Sequence, residues 1–457
     1  MIYEQGCLIT PRDILGVKGR SVDDSIVEGE TVANFGIKSV KAREILDSRG
    51  LPTVEVDVTT EAGILGRADT PAGTSRGRHE AFEMRDGGGR YDGYGVENAV
   101  KTVEEIIAPL LRGMDVREQR EVDQTMIEHD GTEDKSRLGG NCMVAVSWAV
   151  AKAAAHSVGL PLYLYVGGSN SHVLPVPMFL YITGGSISYT DFDFQEFNAM
   201  PIGAKSFAEA VRMGSEVYRV LGRLVSAKYG KYALNTSGEG SYSPHGTSDP
   251  RDAFEVIMKA IEEKGYQDDF VLYLDVASTH LYDRQTDRYR YRGKMVSREQ
   301  LFEVYEDLAK TYPLKSIEDP VNEDDYEGFA EATDLLDVQI VGDDLFVSNL
   351  KRLMKGVSMR AANSILLKVN QVGTLTEALD TASYAKECGY SLIVSERSGQ
   401  TEDTWLADLT VAIDAGQIKN GTPTRGERTA QFNQLIRIEE ELGKAAKYAG
   451  RNYRKPV

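Results

Sequence analysis

The sequence predicts an α/β protein: a closed β/α barrel preceded by a smaller α+β domain. Three observations predict it. After residue 175, short apolar runs (VLYL, LKSI, VQIV, SILL, SLIV) recur, each followed by a polar turn and a helical segment such as REQLFEVYEDLAKTY or LTEALDTASYAKECG. Before residue 165, apolar and polar residues alternate as in antiparallel strands, and helical periodicity then takes over. Lastly, five of the apolar runs end in a chargeable residue, at intervals of about one βα unit.

Residues 1–37 are polar, glycine-bearing and weakly periodic, and are read as an extension. VKAREI and TVEVDVTTEAGILGRAD then read as strands of an antiparallel sheet. NAVKTVEEIIAPLL and CMVAVSWAVAKAAAHSVG read as helices closed by glycine, and the whole forms an α+β domain over residues 38–165. The βα units of residues 175–457 argue for a parallel sheet, and about eight of them for a closed barrel. The triplet Gly87-Gly88-Gly89 lacks the GK[ST] ending of a phosphate loop and reads as a connection.

A chain of 457 residues, 41% hydrophobic, can bury a large core. Its net charge of −18 argues against nucleic acid as a partner, because non-specific binding there needs basic patches. The same charge is compatible with a small anionic substrate, which responds to local lysines, arginines and metals. No apolar run approaches the roughly 18 residues of a membrane span, and the N-terminus has no secretory pattern. Cys7, Cys142 and Cys388 lie far apart and without ligand spacing, so a reduced, cytoplasmic protein is expected.

The chemistry lies at the ends of the apolar runs. VLYLD ends in Asp275, LKSIE in Glu318, VQIVGD in Asp343, SILLK in Lys368 and SLIVSE in Glu396, at intervals of 43, 25, 25 and 28 residues. One acidic residue after a strand is ordinarily a cap or turn residue. Five in phase converge at the C-terminal mouth of a parallel barrel. Three carboxylates on adjacent strand ends make a hard-oxygen site suited to Mg²⁺. A lysine one strand further round suits a general base, with burial and divalent charge expected to lower its pKa.

The surrounding motifs resemble those of the enolase family. SIEDP, VGDDLFVSN, NSILLKVNQVGTLTEAL, SERSGQTEDT, AGQIKNG and QLIRIEEELG match in order, as do DSRGLPTVEVDV, LPVPMF–GG and FQEFNAMPIGA. The resemblance runs from about residue 38 to the end. It implies Mg²⁺-dependent abstraction of an α-proton and β-elimination of water, converting 2-phosphoglycerate to phosphoenolpyruvate. By that resemblance Asp275, Glu318 and Asp343 hold Mg²⁺ on the substrate carboxylate, Lys368 is the base, and Lys419 stabilises the enolate. Glu239 matches the general acid, Glu196 its partner carboxylate, Gln195 a neighbouring substrate contact, and Arg397 with Ser398 the phosphate grip. The family's dimers imply a homodimer or a higher even-numbered assembly, through the stretch at residues 47–56.

The match breaks at four places. Ile187 stands where the family has a mobile-loop histidine, Glu396 where it has another, and Ala72 where it has a metal-binding serine; the acid loop is slightly short. Isoleucine neither donates to phosphate nor carries charge. Glu396 adds a third carboxylate near Glu196 and Glu239, which repels unless a proton, cation or donor intervenes. These departures keep two alternatives open: the same half-reaction on a phosphonate or carboxyphosphono analogue, and a non-catalytic binding protein. His245 reads as a surface-loop residue, and His79, His129, His156, His172 and His280 as structural.

Overall fold

The computed structural model describes residues 34–74, 77–188 and 190–455. Most of the expected N-terminal extension lies outside them. Strands β1 (Ile37–Leu46), β2 (Pro52–Thr60) and β3 (Leu65–Asp69) form an antiparallel meander. Val54, Val56 and Val58 alternate with more exposed residues along β2, so one face of the sheet is buried. That face receives α2 (Gly140–Ser157), which follows α1 (Gln119–Asp130). A Cβ at Gly66 would lie 2.0 Å from the Ala149 carbonyl oxygen, so glycine is what lets β3 touch the α2 backbone.

Helix α2 is buried nearly all round, as its mostly apolar sequence requires. Its far side packs on the C-terminal half: Trp148 stacks on Trp405 with ring centroids 4.5 Å apart, and Ser147 accepts a hydrogen bond from the Leu375 amide. The two halves therefore share one core.

The second half is a closed eight-stranded barrel. Its strands are β4 (Val176–Thr183), β5 (Glu196–Met200), β6 (Val271–Asp275), β7 (Leu314–Glu318), β8 (Gln339–Gly342), β9 (Ser364–Leu367), β10 (Ser391–Ser395) and β11 (Gly416–Lys419). Helices α3 (Phe207–Tyr229) and α4 (Pro250–Glu263) precede β6. One helix follows each later strand: α5 (Arg298–Thr311), α6 (Tyr326–Leu335), α7 (Leu350–Met359), α8 (Leu375–Glu387), α9 (Trp405–Ala412) and α10 (Gly426–Leu442). Met178, Met200, Tyr273, Val341, Leu366 and Ile393 fill the barrel interior. Among the described residues no helix is long and apolar enough to cross a membrane.

The sheet departs from the expected all-parallel arrangement at one strand. β5 pairs antiparallel with both β4 and β6. The cause is the connection at residues 184–195, whose described residues hold one short 3-10 turn and no crossover helix, so the chain turns back as a hairpin. The reversal has a consequence for chemistry: it brings the start of β5, not its end, to the barrel mouth. Glu196 is thereby paired in register with Asp275, the last residue of β6.

Candidate active site

A cavity opens at the mouth, and it is lined by Asp275, Glu318, Asp343, Lys368, Lys419, Glu239, Glu196, Gln195, Arg397, Ser398, Glu396 and Ile187, the twelve residues assigned a place in the site from the sequence. Asp275, Glu318 and Lys419 arrive as the last residues of β6, β7 and β11, and Lys368 follows β9 directly. Asp343 follows β8, and Glu396, Arg397 and Ser398 follow β10. Gln195 and Glu196 come from the reversed strand, Glu239 from the loop after α3, and Ile187 from the hairpin turn.

Lys419 is the hub. Its ammonium lies 2.7 Å from Asp275 Oδ2, 2.8 Å from Glu318 Oε2 and 3.2 Å from Glu196 Oε2. Burial pulls its pKa down, but the three carboxylates outweigh it and hold the ammonium well above the usual lysine range. Lys368 Nζ lies 2.5 Å from Asp343 Oδ2. Burial again lowers its pKa and Asp343 raises it, with a net rise. The Asp343 carboxylate thus outweighs burial at Lys368. Burial pushes Glu196 up to about 8, with Lys419 opposing and Asp275, Glu239 and Glu318 adding.

Asp319 braces the wall beside Asp343 and Asp344. It sits at positive φ and accepts hydrogen bonds from the amides of Asp343 and Asp344, both at 3.0 Å. Each of those three aspartates offers an oxygen within 4.8 Å of the others. The Lys419 ammonium lies against both Asp275 and Glu318.

The wall at residues 396–399 carries contacts invisible to strand-end spacing. Arg397 donates to Glu80 at 2.8 and 3.3 Å and to Asn370 at 3.2 Å. Ala72 and Gly399 exchange backbone hydrogen bonds at 2.9 and 2.8 Å, tying the loop that bears Ala72 to this wall. Glu396 forms an ion pair with Arg428, which is 0% exposed. The repulsion expected around Glu396 is therefore answered by a cation from α10.

Comparison with known proteins agrees with this layout. The domain family described as "Enolase, N-terminal domain" matches residues 37–166, and "Enolase, C-terminal TIM barrel domain" matches residues 171–457. The enolase of Pyrococcus furiosus is 56% identical over 425 residues, covering 92% of this chain and 98% of its own. The enolases of Methanocaldococcus jannaschii and Thermococcus gammatolerans are 54% and 53% identical, each over 92% of this chain and 99% of their own. The chain belongs to the enolase family.

For an enolase-family barrel, Asp319 and Asp344, which line the mouth, and Glu80, Arg428 and His280, at or behind it, escaped the sequence reading. Glu80 and Arg428 carry no periodic signal, since each meets its partner across a loop or from a helix start. His280, read as structural, lines the cavity from a turn just after β6, whereas His245 is exposed and is absent from the lining. The five-residue step from Asp275 to His280 was the available clue.

Proposed function

We propose that this chain is a Mg²⁺-dependent hydro-lyase, a phosphopyruvate hydratase, removing water from 2-phosphoglycerate to give phosphoenolpyruvate. The observation that carries the reading is the meeting of Lys368, Lys419 and three buried strand-end carboxylates at one barrel mouth, in a chain of the enolase family. Asp275, Glu318 and Asp343 are all-oxygen donors from adjacent strands, and an ammonium already lies against two of them, so the donor set suits a hard cation. Those three would hold Mg²⁺. Bound there, it supplies positive charge that acidifies the α-proton and draws carboxylate charge away from the lysines, lowering their pKa.

Lys368, once neutral, takes the proton from C2 onto Nζ. Lys419 remains charged and faces the developing enolate. Glu239 donates a proton to the C3 hydroxyl as the C3–O bond breaks, the C2–C3 double bond forms and water leaves. Glu196, whose pKa burial pushes up to about 8, lies within electrostatic reach of Glu239. Arg397 and Ser398 receive the phosphoryl end, the guanidinium by its forked donors.

The order of steps is testable. Glu239→Gln is expected to keep exchanging the C2 proton with deuterated solvent while its elimination rate falls by about 10²–10⁴. Equal loss of both activities, read by NMR and by phosphoenolpyruvate absorbance, would remove Glu239 from the acid role.

Family membership also supports a cytoplasmic homodimer or higher even-numbered assembly through the N-terminal sheet. Light scattering at micromolar protein is expected to give an even multiple of the 50.4 kDa chain mass, and a monomeric mass would refute it.

A further inference from the structure

Arg428, in the first turn of α10, is a charge with no exposed surface, so its partners define what it does. Its Nη1 donates to the Arg397 carbonyl at 2.9 Å and pairs with the Glu396 carboxylate, and its Nη2 donates to the Ser398 carbonyl at 3.0 Å. One guanidinium thus grips three consecutive residues, all of which line the cavity. Gly421, at φ +69°, makes room for the pair: a Cβ there would lie 2.8 Å from Glu396 Oε1 and 3.3 Å from Arg428 Cδ. Asn420 Nδ2 donates to the Arg428 carbonyl at 2.8 Å, fixing the start of α10 beside the end of β11.

The opposite side of the same segment is held by the N-terminal half. Ser48 Oγ donates to the Ser398 carbonyl at 3.1 Å, and the Thr74 amide donates to Ser398 Oγ at 2.8 Å. Arg428 is the charged member of this clamp. Arg397 is offset by Glu80, so without Arg428 the wall would present the Glu396 charge uncompensated to an incoming anion.

We infer that Arg428 is a positioning residue of the reaction: from behind the wall it sets residues 396–398 and balances Glu396, and so governs how tightly the substrate's phosphoryl end is held. Proton abstraction at Lys368, on a neighbouring strand, proceeds without it. The inference rests on the proposed assignment of Arg397 and Ser398 as phosphoryl contacts.

The test compares Arg428→Gln, Arg428→Lys and Arg397→Gln in the full chain with saturating Mg²⁺, using steady-state kinetics on 2-phosphoglycerate and calorimetric titration with inorganic phosphate. Arg428→Gln is expected to raise KM and weaken phosphate binding by about tenfold or more while kcat stays within about threefold, the pattern of lost ground-state binding. Arg428→Lys can still pair with Glu396 but cannot span both carbonyls, so a smaller shift, roughly threefold, is expected. A folded Arg428→Gln with wild-type KM and phosphate affinity overturns the inference, as does a fall in kcat alone. If Arg428→Gln does not fold, Arg428→Lys decides: weakened phosphate binding supports the inference, and unchanged binding overturns it. Arg397→Gln separates the two claims. Unchanged phosphate affinity in that variant refutes the phosphoryl assignment itself, whereas a loss there with none in the Arg428 variants refutes only the role of Arg428.

Discussion

Lys368→Ala is expected to abolish exchange of the C2 proton of 2-phosphoglycerate with deuterated solvent, by a factor of about 10⁴, the upper range for a general base. The loss should appear equally in exchange and in overall turnover, because no later step can begin before the proton leaves. The substitution is structurally mild. It frees Asp343 Oδ2, but Asp343 Oδ1 keeps its hydrogen bond from Gln371 at 3.0 Å, and the strand ahead of Lys368 is buried by its own apolar residues. Lys419 is the other ammonium in the cavity, and three carboxylates hold it protonated. Exchange persisting in Lys368→Ala at more than a few per cent of wild type would therefore move the base to Lys419 and sink the assignment. Proton NMR of the substrate in deuterated buffer reads the outcome directly.

Glu318→Ala is expected to weaken Mg²⁺ binding by roughly 100-fold or more, since even outer-shell substitutions cost 10–100-fold, and to remove activity at ordinary magnesium concentrations. Glu318 lies at the middle of the carboxylate arc: it pairs in register with Asp275 on one side and with Val341, two residues before Asp343, on the other. It is 1% exposed, and both its oxygens lie within 3.0 Å of Lys419 Nζ. Its loss leaves two carboxylates for the cation while Lys419 keeps Asp275 and Glu196. Calorimetric titration with Mg²⁺, alongside a thermal melt to establish folding, measures the effect. An unchanged affinity would show that the cation is held elsewhere, with Asp319, Asp343 and Asp344 the next carboxylates to examine.

The departures of this chain from its family's motifs have different physical weights. Ile187 does line the cavity, and it brings no charge or donor. Glu396 brings a charge but also a partner, because Arg428 compensates it. Replacing Glu396 alone would strand a buried arginine, a change that typically costs about 3–5 kcal/mol. Its neighbour Arg428 thus has to be considered in any attempt to restore a histidine at position 396.

The sequence alone sufficed wherever chemistry rides on local periodicity. A β strand buries its apolar run and exposes its end, so Asp275, Glu318, Asp343, Lys368 and Glu396 could be placed at a common mouth from spacing. The roles of Glu239, Glu196, Arg397 and Ser398 came from motif resemblance, and the structure brings all four to the same cavity without itself assigning those roles. Two kinds of fact needed tertiary structure. The first is strand direction: an apolar run looks the same in either sense, and only the connection at residues 184–195 turned β5 around and set Glu196 against Asp275. The second is the pairing of charges. Lys419 with three carboxylates, Arg397 with Glu80 and Glu396 with Arg428 join residues separated by 32 to 317 positions in strands, helices and loops of both halves. Nothing local marks such a pair, because the free energy that makes it comes from burying two charges together, and what is buried together is decided by packing.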